Sequence, residues 1–249
     1  MKFRDHFSAQ AADYAKFRPG YPRELFDYLG SIAPSRRLAW DCATGNGQAA
    51  EMLANYFEKV EASDISEAQI GNAIKKENIE YHICPAEHTP FADTSFDLIT
   101  VAQAYHWINW KRFHNEATRI GKPGSVVAIW MYNMPYSQDE KVTGIIRHFY
   151  RDITGPYWDK ERRFVDEEYK TVQFDFDPLP SKEFQISFDW ERQQLKGYFQ
   201  SWSAVQNYIK VNNNNPVDVV EKEIDEAWNE NEEKRISFPI VLRIGRISK

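Results

Sequence analysis

The chain is poor in cysteine, with only Cys42 and Cys84 in 249 residues. That excludes a disulfide-stapled secreted scaffold and leaves too few thiols for a four-cysteine zinc site. No metal is expected. Long apolar runs are missing as well. No stretch approaches the ~20 apolar residues that span a bilayer, so no membrane partner is expected. The opening MKFRDHFSAQ lacks the apolar segment of a signal peptide. A basic excess is absent: 31 Lys+Arg stand against 37 Asp+Glu, a formal charge of −6. Phosphate neutralisation wants a basic face, so no nucleic-acid partner is expected. Internal repeats are absent. Aromatic residues, by contrast, are plentiful, 15% of the chain within a 42% hydrophobic fraction, which excludes global disorder. At roughly 150 residues per domain, the length fits one large domain or one with an inserted cap. A globular, cytoplasmic protein is expected, as a monomer or homodimer.

From residue 36, apolar runs alternate with helical stretches. Residues 37–41 (RLAWD), 59–63 (KVEAS), 80–84, 97–102 (DLITVA) and 125–130 (SVVAIW) read as strands. The near-continuous apolar run at 97–102 suits a strand buried on both faces. Residues 23–32, 48–56, 66–75 and 111–120 have helical spacing, with Ser66 as an N-cap. Residues 122–124 (Lys-Pro-Gly) read as a turn. The alternation implies βαβ units, a parallel sheet and right-handed crossovers. Beyond Tyr132 the pattern loosens. Residues 139–153, 192–208 and 217–234 read as helices, 183–190 and 237–247 as strands, and 156–180 shows no period. A late strand pair fits the edge of a mixed sheet. The expected fold is α/β, a doubly wound, mixed, seven-stranded, Rossmann-like sheet under a helical and aromatic cap.

The strongest local feature is Asp41-Cys42-Ala43-Thr44-Gly45-Asn46-Gly47. Here a strand ends, the chain turns on glycines and a helix starts, which exposes N–H groups to a ligand. Two nucleotide-type ligands fit. Gly45-x-Gly47-x-x-Ala50 satisfies the dinucleotide fingerprint, so an NAD-dependent oxidoreductase is one reading. S-adenosylmethionine is the other, because an acid at Asp41 repels a pyrophosphate and attracts an ammonium. Asp64 ends the next strand, where an acid can bond both hydroxyls of a ribose. A helix cap with no ligand is the structural alternative.

These residues make the chain similar to class I S-adenosylmethionine-dependent methyltransferases of the type 11 kind. Within them it resembles the trans-aconitate methyltransferase-like branch most, over residues 7–130. His6-Phe7-Ser8, Asp13-Tyr14 and Phe17-Arg18-Pro19-x-Tyr21-Pro22 are similar to that branch's N-terminal lid. Asp41 through Gly47 matches D-x-G-x-G-x-G, except that Ala43 replaces the first glycine. The chain there is expected to do without φ > 0, or without the closest backbone approach. Asp64-Ile65-Ser66 matches the segment after strand two, implying that Asp64 holds the ribose. Ala86-Glu87-x-x-Pro90-Phe91 and Phe96-Asp97 match the next motif. Pro85 stands where the family commonly has Asp, leaving the adenine to Ala86 and Glu87. Ala102-Gln103-Ala104-x-His106-Trp107 and Glu116-x-x-Arg119-x-x-Lys122-Pro123-Gly124 complete the series.

The resemblance implies methyl transfer from S-adenosylmethionine to a small-molecule acceptor, with a carboxylic acid suggested by the branch. It divides the single methyltransferase domain into a lid (1–35), a cofactor-binding core (36–131), a cap (132–180) and a C-terminal part completing the sheet (181–249). The implied cofactor contacts are Tyr14, Arg18, Asp41, Ala43, Gly45, Gly47, Asp64, Ile65, Ala86, Glu87, Ala102 and Gln103. Tyr21, His106, Trp107, Trp110, Trp130 and Tyr132 are candidates to line the acceptor pocket. Aromatic faces attract a sulfonium cation, and Arg18 suits a carboxylate. His106, just past the fourth strand at the sheet's carboxyl end, is the candidate base or acceptor-orienting group. A domain that binds the cofactor without turning over an acceptor is the remaining alternative.

Overall fold

The computed structural model describes residues 19–248. Nine strands among them form one sheet. They are β1 (Leu38–Cys42), β2 (Lys59–Asp64), β3 (Ile79–Ile83), β4 (Phe96–Ala102), β5 (Gly121–Tyr132), β6 (Tyr136–Ser137), β7 (Asp177–Pro178), β8 (Phe184–Trp190) and β9 (Lys234–Arg246). The first five pair in parallel in the order β3-β2-β1-β4-β5, and β9 runs antiparallel beside β5.

The remaining short strands share positions. Ser237 pairs with Tyr136 on one side and Ser187 on the other, and Ile240 with Tyr132 and Phe184. So β6 continues the line of β5. Arg246 likewise pairs with Val126 and Asp177, which puts β7 in line with β8. Nine strands therefore fill seven positions, as the alternating pattern predicts.

Burial explains the apolar runs. Along β5, Val126, Ala128, Trp130 and Tyr132 join the core on one face, while Val127, Ile129 and Met131 join the core on the other. The first face is covered by α1 (Arg23–Ile32), α2 (Gln48–Leu53), α5 (Glu140–His148), α7 (Arg192–Gln200), α8 (Ser203–Asn212) and α9 (Val217–Ala227). The second is covered by α4 (Trp110–Ile120) and α6 (Arg162–Asp166). The short α3 (Glu67–Gly71) follows β2, its first turn capped by Ser66 Oγ, which accepts the Gln69 N–H at 3.3 Å. Period two in the strands thus meets helices on both faces, the doubly wound arrangement.

Four readings change. The helix expected over 217–234 ends at Ala227, and Lys234 already opens β9. Lys122-Pro123-Gly124 lies inside β5 rather than in a separate turn, within the register irregularity that sets Gly121 opposite Phe96 and Val126 opposite Leu98. Residues 192–208 form two helices rather than one. Trp202 leaves helical geometry (φ −80°, ψ 137°) and packs its indole among Phe149, Tyr150, Tyr198 and Phe199. Ala43 does adopt a positive φ, +53°. The turn geometry is kept and the alanine bears the strain, because its neighbours fix the chain on both sides: Cys42 stays in register with Ser63, and Thr44 N–H donates to Ser63 O at 2.9 Å. Cys42 and Cys84 are free thiols, with β2 lying between their strands. No helix among the described residues is long and apolar enough to cross a membrane.

Candidate functional site

The carboxyl ends of β1, β2, β4 and β5 lie side by side, and most of the expected residues gather there. Beneath the turn after β1, Asp41 is fully buried. Thr44 Oγ1 donates to its Oδ2 at 2.5 Å and Thr100 Oγ1 to its Oδ1 at 2.8 Å. Burial pushes its pKa up to about 6, against the lowering effect of those hydroxyls.

The turn itself uses the left-handed region three times, at Ala43 (+53°), Gly45 (+57°) and Gly47 (+88°). A Cβ on Gly47 would meet the Tyr81 hydroxyl at 2.3 Å, so only glycine fits there. At the end of β2, Asp64 Oδ2 accepts the Gly45 N–H at 2.9 Å and Oδ1 accepts the Ser66 N–H at 2.9 Å. The next residue, Ile65, is 47% exposed, and Ile83 at the end of β3 is 58% exposed. An acid with a bare apolar ledge beside it therefore faces outward from β2 and β3.

Ala86 is buried, and the Glu87 carboxylate accepts the Asn109 N–H at 2.8 Å, which ties this loop to the start of α4. After β4, Ala102 is followed by Gln103 at φ +57°, whose N–H donates to Trp130 O at 2.8 Å. Among the described residues, Gln103 Nε2 and the fully buried Trp130 Nε1 have no hydrogen-bond partner, which is rare for buried donors. Tyr21 meets Trp130 edge-on at 5.5 Å.

His106 and Trp107 sit on a short 3-10 turn, Tyr105–Trp107, with Trp107 37% exposed. His106 Nδ1 lies 2.8 Å from the hydroxyl of Tyr169, a fully buried residue just past α6. Burial, with Arg162 nearby, depresses the His106 pKa to about 3, so the ring is neutral at physiological pH.

Two candidates lie in packing. Trp110 sits between Tyr105 and Phe164 and donates its indole N–H to Tyr105 O at 3.0 Å. Tyr132 is buried against Phe238. Tyr14 and Arg18 fall outside the described residues. Tyr169 carried no local signal in the sequence, since it sits in the aperiodic stretch. Thr100, within an apolar run, was equally hidden.

Away from this edge, Glu61, Glu80 and His82 lie close enough to share an ion. Lys59 already pairs with both acids at 2.7 Å, so the cluster carries its own cation.

Known proteins match this picture. A model described as "Methyltransferase domain" matches residues 40–129. A provisionally named methyltransferase of Dictyostelium discoideum is 32% identical over 252 residues, covering 98% of this chain and 96% of that one. A Saccharomyces cerevisiae protein named as an S-adenosylmethionine-dependent methyltransferase is 26% identical over 168 residues, 63% of this chain and 58% of that one. A solved structure from Anaeromyxobacter dehalogenans, described as a type II methyltransferase, superposes with a TM-score of 0.87 at 35% identity, covering 93% of this chain and 99% of that one. With this fold and likeness along nearly its whole length, the chain belongs to the class I methyltransferases, enzymes that use S-adenosylmethionine.

Proposed function

We propose that the carboxyl edge of β1, β2 and β4 holds S-adenosylmethionine and that the enzyme methylates a small-molecule acceptor, a carboxylic acid in particular. The residues fit the cofactor. Asp64 ends β2 and accepts the Gly45 and Ser66 N–H groups at 2.9 Å each, which places a carboxylate where an acid can bond the hydroxyls of a ribose. Ile65, Ala86 and Glu87 offer an apolar ledge and a polar rim for a base. Ala43, Gly45 and Gly47 keep side-chain bulk off the turn. Asp41, through the turn above it, favours the ammonium of the methionine part. Ala102 and Gln103 close the same end, and Tyr14 and Arg18 are assigned to the lid over it.

When bound, the cofactor supplies an electrophilic methyl on a sulfonium sulfur. The chain's residues position the acceptor and exclude water. Tyr21, Trp107 and Trp130 offer aromatic faces, with Trp110 and Tyr132 behind them, and His106 contacts the acceptor. Residues 1–35 would serve as lid, 36–131 as cofactor core, 132–180 as cap, with 181–249 completing the sheet. The carboxylic-acid assignment rests on the resemblance to the trans-aconitate branch, supported by the N–H donors of Gln103 and Trp130, which have no partner among the described residues.

The observation that carries this reading is Asp64 joined to Gly45 across the turn. Calorimetric titration with S-adenosylhomocysteine, with NAD and NADP in parallel, tests it. Micromolar binding of S-adenosylhomocysteine alone is expected. Binding of a dinucleotide instead overturns it.

A further inference from the structure

His106 and Tyr169 approach through one ring nitrogen and one hydroxyl, at 2.8 Å. Which of them donates decides what His106 can do. If Nδ1 carries the proton, Nε2 is a lone pair and a base. If the phenol donates to Nδ1, Nε2 carries the proton and is a donor.

The surroundings of the phenol choose between these. Tyr169 is fully buried, so its hydroxyl proton needs an acceptor, and the one within reach among the described residues is His106 Nδ1. Donation from the ring instead would leave that proton buried without an acceptor. The neighbouring pair shows the opposite case. Tyr105 Oη donates to Gln173 O at 2.7 Å, so its partner His114 must donate through Nε2 at 2.9 Å.

The hydroxyl is held in place at some cost. Glu168 and Tyr169 both adopt left-handed backbone, at +56° and +55°. Two successive non-glycine residues there cost about 1–3 kcal/mol each, and such strain gathers at functional positions. Arg243 fixes this bend, donating to Tyr169 O at 2.8 Å and Val172 O at 2.9 Å.

We propose that Tyr169 is a positioning residue that locks His106 as its Nε2–H tautomer, so that His106 meets the methyl acceptor as a hydrogen-bond donor and not as a base. The contact to the acceptor rests on the function proposed above; the tautomer does not. Among the described residues nothing pairs with Nε2. The charged group acting on the ring is Arg162, while Asp175 and Arg243 act on Tyr105 beside it. A cationic neighbour and burial both oppose protonation, consistent with a ring that stays neutral. His106 Nε2, Gln103 Nε2 and Trp130 Nε1 are then three N–H donors with no acceptor among them. They suit an acceptor molecule whose attacking atom arrives already unprotonated, such as a carboxylate oxygen, which needs no base.

Nitrogen NMR of the ¹⁵N-labelled full chain reads the tautomer directly. The His106 ring is assigned by the signals lost in His106→Gln or His106→Asn. The expected wild-type pattern is a pyridine-type Nδ1 and a pyrrole-type Nε2, unchanged from about pH 5 to about pH 8. In Tyr169→Phe the pattern should move to mixed tautomers or begin to titrate, while S-adenosylhomocysteine affinity stays within about twofold. A pyrrole-type Nδ1 in the wild type, or titration near the ordinary histidine pKa, overturns the lock, and this arm needs no variant of Tyr169 to fold. Calorimetry separates the two readings. S-adenosylhomocysteine binding with the wrong tautomer defeats this proposal alone. The expected tautomer without such binding defeats the role toward a methyl acceptor.

Discussion

The carboxylate of Asp64 reaches back 19 residues to the backbone N–H of Gly45, at 2.9 Å. One acid at the end of β2 thus fixes the turn after β1, and its second oxygen fixes the entry to α3 through Ser66. Hydrogen bonds to a charged group contribute about 1.5–3 kcal/mol each. Asp64→Ala should therefore weaken S-adenosylhomocysteine binding at least about tenfold, through lost ribose contacts and a loosened turn. Calorimetry checks it, and unchanged affinity removes Asp64 from the site.

Asp41 gives the site a pH dependence. Its folded pKa of about 6 lies above the ordinary 3.8, because burial penalises the charge. Below about pH 6 the free protein holds a proton there. A cationic ligand group nearby favours the ionised form, so binding should expel that proton. Affinity for S-adenosylhomocysteine should rise as pH increases through about 6 and level off above it. Proton release is measured by titration at pH 5.5 in two buffers of different ionisation enthalpy. No release sets Asp41 apart from the ligand's charge. The same raised pKa makes Asp41's contribution to apo stability fully present below about pH 4 and lost as pH rises through about 6.

Ala43 is strained where a glycine would be at ease. Left-handed backbone costs alanine about 1–2 kcal/mol, and a glycine loses about 0.5–1 kcal/mol more entropy on folding. Ala43→Gly should therefore stabilise the protein slightly, by about 0.5–1 kcal/mol. A denaturant titration reads the shift, and a destabilised variant would show that the methyl group packs usefully.

What the sequence revealed and hid follows one physical line. β4 and β5 were legible because burial on both faces leaves continuous apolar runs, and the glycine turn because Gly47 has no room for a Cβ. Gathering Asp41, Asp64 and His106 at one edge followed from parallel order alone. Tyr169 was hidden because tertiary contacts with His106 and Arg243, not local periodicity, place it. The break at Trp202 was hidden for the same reason. Its ring gains more from five aromatic neighbours, Trp158 included, than its backbone does from one more helical turn.

Glu116 and Arg119, prominent in the sequence pattern, form a clamp. Glu116 accepts the Thr89 N–H at 2.7 Å and its hydroxyl at 2.6 Å, and Arg119 bonds both Glu116 and Phe91 O. The Glu116 pKa falls to about 2, with the Arg119 and Thr89 bonds outweighing burial. A lowered carboxylate pKa gives stability that is full above the unfolded value of 4.5 and is lost as pH falls toward about 2. The shift corresponds to about 3 kcal/mol. Glu116→Gln should remove a contribution of that order at pH 7 and flatten the stability profile between about pH 4.5 and about pH 2. An unaltered acid limb would show that other carboxylates govern acid unfolding.

Two buried tryptophans make a final contrast. Trp40 and Trp130 are both fully buried on neighbouring parts of the sheet. Trp40 Nε1 donates to Ser63 Oγ at 2.9 Å, whereas Trp130 Nε1 has no partner among the described residues. Replacing either by Phe removes the same atoms, so the packing losses are similar. Trp40→Phe additionally breaks a hydrogen bond and strands a buried hydroxyl, at about 1–3 kcal/mol. Trp130→Phe instead removes an unsatisfied donor. It should be the less destabilising of the two by about that amount in the free protein, as measured by denaturant midpoints. Equal losses would mean that Trp130 Nε1 finds a water partner in solution, and its place among the ligand-facing donors would fall.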